Sequence, residues 1–73
     1  MRLCRQAFPL GIAHLRQRPA DGAPAVRYLG SAVVRSWSLD TVFTATGRSR
    51  GAWLELRAPG GHHSGWLHRR ELQ

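Results

Sequence analysis

Hydrophobic and polar residues alternate twice in the last third of the chain, in Trp53-Leu54-Glu55-Leu56-Arg57 and again in Trp66-Leu67-His68, on either side of a segment holding Ala58-Pro59-Gly60-Gly61. A period of two on both sides of a Pro-Gly-Gly turn predicts a β-hairpin. Successive strand side chains point to opposite faces, so Leu54, Leu56 and Leu67 are assigned to a core face. Trp53, Glu55 and Arg57 take the other face, which their charges mark as the wet one, and Trp66 and His68 join them. Two indoles on the outer side of one hairpin suggest a ligand groove; the competing reading is that they cap the ends of a barrel.

Upstream, residues 11–16 (Gly-Ile-Ala-His-Leu-Arg) form a candidate first strand, ended by the turn-rich Pro19-Ala20-Asp21-Gly22-Ala23-Pro24. A long loop over 20–32 follows, within which residues 26–29 offer a short strand or a bend. Residues 32–37 and 41–46 are rich in β-branched and aromatic side chains and read as strands, with Gly47-Arg48-Ser49-Arg50-Gly51 as the next turn. Five short strands with no amphipathic helix predict an all-β fold, a small five-stranded barrel over 11–73 preceded by an extension at 1–10. Its expected core is Leu15, Val34, Phe43, Ala45, Leu54, Leu56, Leu67 and Leu72. Helical turns are expected only in the Pro-rich loop and at Arg69-Arg70-Glu71.

A chain of 73 residues makes one domain with one small core, a size at which folding is marginal without help. The single cysteine, Cys4, excludes an intrachain disulfide and a zinc site built from cysteines of this chain. Eleven basic residues against four acidic ones give a formal net charge of +7, and all eleven are arginine. Arginine's planar fork suits carboxylates, phosphates and aromatic faces, although a GC-rich genome yields the same bias. Arg2 and Arg5 precede an apolar run that Pro9 and Gly11 interrupt, which argues against a signal peptide. No stretch has the length of a transmembrane helix. The expected location is therefore the cytoplasm, or the cell envelope if a larger exported assembly carries the chain, with no membrane insertion.

The order of Leu15-Arg16 with Pro19, Val33-Val34, the segment Thr41 to Gly47, Trp53 to Arg57, and Gly65-Trp66-Leu67-His68-Arg69 followed by Leu72 resembles the bacterial SH3-like domain family. The resemblance covers residues 11–72 and is most specific in the last third. Its 20–32 loop is longer than the family pattern, and Asp40 stands where a turn glycine is usual. The resemblance implies a barrel whose long loop flanks a groove, with residues 47–51 as the opposite wall and Trp53 as the groove tryptophan. By the same resemblance, His68 falls near the position of a groove proline in eukaryotic relatives.

The candidate ligand-binding residues are thus Trp53, Trp66, His68, Tyr28, Arg48, Arg50 and Arg57. Tyr28 either stacks on a ligand or anchors its loop, and Trp37 reads as structural packing. His62 and His63 invite a metal reading, but neighbouring side chains point apart and no carboxylate or cysteine is near, so a solvated turn is expected. No metal or cofactor is expected. Nor is catalysis, since no nucleophile is paired with a base and Asp21, Asp40, Glu55 and Glu71 lie in separate elements. The expected partner is a protein or peptide, with the chain as a small accessory or interaction subunit of a larger assembly. Peptidoglycan or cell-wall peptide is the second reading, and nucleic acid, through the dispersed arginines, the third.

Overall fold

The computed structural model describes residues 6–26, 37, 41–60 and 63–72. Tyr28, Val34, Cys4, His62 and all of the expected 32–37 strand except Trp37 lie outside them. Four strands occur in the described part: β1 (Gln6–Ala7), β2 (Phe43–Arg50), β3 (Trp53–Arg57) and β4 (Ser64–His68), followed by a short 3-10 helix at Arg69–Glu71. They form one antiparallel sheet in the order β1-β2-β3-β4 that curls into a half-barrel. No α-helix is present among the described residues. The fold is therefore all-β, as expected.

The β3–β4 hairpin follows the alternation of its sequence. Trp53 pairs with His68, Glu55 with Trp66 and Arg57 with Ser64 on one face, while Leu54 meets Leu67 and Leu56 meets Gly65 on the other. The turn carries Gly60 at φ 89°, a conformation that favours glycine. The backbone N–H of Ala58 donates to the His63 carbonyl at 2.9 Å, extending the pairing. His63 then follows the parity of Gly65 and Leu67 and faces inward. It is buried with its ring edge-on to Trp37 at 5.7 Å, which corrects the solvated turn expected for it.

Strand β2 runs through the expected turn at 47–51, and the chain reverses only at Gly51-Ala52. Between the Ala45–Leu56 and Ser49–Leu54 pairs, Thr46, Gly47 and Arg48 oppose Glu55 alone. Gly47, at φ 97°, lets the surplus residues bulge out without ending the strand. The glycine thus marks a bulge where the sequence suggested a turn.

Residues 11–16 do not form the continuous strand expected of them, because they change partner along their length. Ala13 bridges to Trp37, whereas Arg16 bridges to both Trp66 and Ala25. The bonds are nonetheless short: the Arg16 and Trp66 backbones exchange N–H···O bonds of 2.9 and 2.8 Å, and the Val26 N–H donates to the Leu15 carbonyl at 2.7 Å. Residues 15–16 therefore lie along the free edge of β4. At the opposite edge β1 pairs with β2, Pro9 bridges to Leu72, and the Leu10 N–H donates to the Glu71 carbonyl at 3.0 Å.

Leu15, Phe43, Leu56 and Leu67 are fully buried, as their pattern predicts, and Ala13, Trp37 and Ala58 complete the cluster. Ala45, Leu54 and Leu72 pack against it while only partly buried. Trp37 has the structural role expected of it, meeting the Phe43 ring edge-on at 6.1 Å. Phe8, Leu10, Ile12 and Val42 stay exposed.

Candidate functional site

The bulge in β2 builds the most distinctive surface feature. Its Thr46 hydroxyl donates to Glu55 Oε1 at 2.7 Å, and the Arg48 N–H donates to that hydroxyl at 3.3 Å. Arg48 Nη1 in turn donates to Glu55 Oε2 at 3.4 Å. Because Glu55 neighbours Trp66 across the hairpin, this network turns the Arg48 guanidinium over the indole, with its carbon 5.7 Å from the ring centroid. Across from the bulge, the pairing of Arg16 with Trp66 carries the chain into Gln17, Arg18 and Pro19.

These pieces enclose an open cleft of about 580 Å³. Gln17, Arg18 and Pro19 line one side, Gly47, Arg48, Ser49 and Arg50 the other, and Trp66 the space between. No carboxylate is among the lining residues. Arg18 and Arg50 are exposed and have no acidic partner among the described residues, whereas Arg48 shares its charge with Glu55. The cleft therefore brings two guanidinia without an acidic partner among the described residues, and a third shared with Glu55, beside an aromatic ring.

Of the residues singled out by sequence, Arg48, Arg50 and Trp66 come together here. Trp66 lies on the face its parity assigns, yet it is only 7% exposed rather than open to solvent. Arg48 lies over its ring and residues 16–19 run beside it. Trp53, opposite Arg50 in the β2–β3 register, is half-buried and meets the His68 ring edge-on at 5.2 Å; neither lines the cleft. His68 Nδ1 accepts from the Arg70 N–H at 3.1 Å and so caps the 3-10 helix. Arg57, expected beside Trp53, sits at the far end of β3 opposite Thr44 and Ser64.

Ser49 entered from the sequence only as part of the 47–51 wall that the resemblance implies, and Gln17, Arg18 and Pro19 were not among the candidate binding residues. Pro19 marked the end of a strand and a place in the family resemblance, and Arg18 was one of many dispersed arginines. Nothing local signals that they face residues 47–50, since a pairing at Arg16, 50 positions before Trp66, brings them there. Among the described residues, no three His, Cys, Asp or Glu side chains gather as a metal site would require.

The loop beyond Pro19 is tied down by an ion pair between Asp21 and Arg70. The Arg70 guanidinium, hydrogen-bonded to the Asp21 carboxylate, holds that group below its ordinary pKa of 3.8. A carboxylate whose folded pKa is depressed adds stability above its unfolded pKa and loses that contribution as pH falls through the folded value. The tie is therefore intact at neutral pH and released only in acid. Titration followed by NMR should place the Asp21 midpoint below 3.8, and Arg70→Ala should return it toward that value. An Asp21 midpoint unmoved by Arg70→Ala would show that the pair does not form in solution.

Comparison with protein-family models, with curated proteins and with solved structures finds no match to this chain.

Proposed function

We propose that this chain is a non-catalytic binding module with an SH3-like barrel, a small accessory subunit that docks on a protein or peptide partner through the cleft over Trp66. The observation that carries this reading is the cleft itself: three arginines and an indole converge on an open channel with no carboxylate among its lining residues. The resemblance to bacterial SH3-like domains implies a groove between the 20–32 loop and residues 47–51; the cleft shares residues 47–50 with it, but its other side is residues 17–19, and Trp66 rather than Trp53 lies in it. The curled antiparallel sheet and the 3-10 helix after β4 are compatible with such a barrel. Peptide recognition of this kind takes its specificity from pockets and charges on a rigid scaffold. Here β2, β4 and the Thr46–Glu55–Arg48 network supply the rigidity.

Selection of a displayed random-peptide library against the folded domain tests the reading. An Arg48→Ala, Arg50→Ala double variant serves as the counter-target. Peptides that enrich on the wild type and lose binding to the variant are the expected result. No enrichment, or equal binding to both proteins, would remove the cleft as a peptide site.

A further inference from the structure

We infer that the ligand of this cleft is an acidic peptide segment, whose carboxylates are received by Arg18, Arg48 and Arg50; the inference rests on the peptide-binding reading above. Glutamate or aspartate side chains match the guanidinium fork, which can donate two parallel hydrogen bonds to one carboxylate. Arg48 is already held by Glu55 and lies against Trp66, so little of its freedom remains to be lost on binding. Its side chain is still 72% exposed, leaving other N–H groups open to a ligand. Arg18 and Arg50 add two exposed guanidinia with no acidic partner among the described residues. Gln17 and Ser49 provide neutral donors and acceptors for a peptide backbone running between them.

The same geometry disfavours single-stranded nucleic acid, which needs open aromatic faces for base stacking as well as positive charge. Trp66 is nearly buried beneath Arg48, and Trp53 is half-buried with its ring engaged by His68. Arg57 is at the far end of β3 and Arg70 is paired with Asp21, so neither extends the cleft charge into a track for successive phosphates. A neutral, glycine-rich segment would leave Arg18 and Arg50 unmatched, and Pro19 and the nearly buried Trp66 would offer it little apolar contact.

Fluorescence anisotropy on the full chain tests this with three probes of equal length: a labelled oligoglutamate peptide, a glycine-serine peptide and an oligothymidylate. Oligoglutamate should bind in preference to both others. Arg18→Ala and Arg50→Ala should each weaken it by about tenfold or more, the scale of a charge-assisted hydrogen bond. Arg69→Ala removes the same charge from the exposed 3-10 helix and should cost less than about twofold, as expected of a diffuse electrostatic effect. All three positions are exposed, and unchanged thermal midpoints would verify that folding is preserved. Failure to bind oligoglutamate, or equal losses in all three variants, would overturn the acidic-ligand inference. If displayed neutral peptides still required Arg48 and Arg50, the peptide-binding reading would survive that failure. Tighter binding of oligothymidylate would overturn both.

Discussion

Phe43→Ala is expected to leave most of the molecules unfolded at room temperature. Phe43 is fully buried at the start of β2, pairs with Ala7 of β1 and meets Trp37 edge-on. Truncating a buried phenylalanine costs about 3–5 kcal/mol in lost transfer energy and in the cavity left behind. A core of this size rarely supplies more than about 3–5 kcal/mol in total, so the loss is of the order of the whole stability. Trp37 gives a direct readout, because its environment depends on Phe43. Near-ultraviolet circular dichroism should lose its aromatic signal, and the cooperative urea transition should disappear. A variant that kept the wild-type urea midpoint would show that this ring is not central to the core.

Gly65→Ala should be nearly as damaging, for a different reason. Gly65 is extended backbone opposite Leu56, and a Cβ there would lie 2.8 Å from the Arg16 carbonyl oxygen, 2.8 Å from Leu15 Cβ and 3.0 Å from Val26 Cγ2. Two of these neighbours are backbone or a Cβ and cannot rotate away. The 15–16 segment would have to retreat from β4, breaking the paired bonds between Arg16 and Trp66. Overpacking costs about 1–3 kcal/mol, and each lost hydrogen bond adds about 1 kcal/mol. Hydrogen exchange at the Arg16 and Trp66 amides should accelerate together with a fall in the urea midpoint. Unaltered protection at both amides would refute the close-approach argument. The same retreat would move Gln17, Arg18 and Pro19 and open the cleft, so this glycine couples stability to the site.

Where burial depends on alternation within one hairpin, the sequence was legible. Leu54, Leu56 and Leu67 against Trp53, Glu55, Trp66 and His68 is the register observed. His63 obeys the same parity, but its polar ring and the adjoining glycines suggested a loop, and its burial against Trp37 became evident only with the fold. Gly47 and Gly51 signalled departures from regular strand without saying that the first is a bulge and the second the reversal. The glycine of the Gly65-Trp66 pair was readable as part of a resemblance, while its steric purpose depends on residues about 50 positions earlier.

The all-β class, the β3–β4 hairpin, the faces of its side chains and most of the core follow from the order of residues alone, because each rests on short-range periodicity and on the cost of leaving apolar side chains in water. The charge that makes an anionic ligand chemically apt follows from the sequence as well. Tertiary structure decided which arginines lie together. Arg48 and Arg50 are two positions apart, but Arg18 joins them only because Arg16 pairs with Trp66, while a glycine bulge aims Arg48 across that ring. It also decided that Trp66 is a covered indole rather than an open platform, since exposure depends on what folds over a face and periodicity specifies only the face.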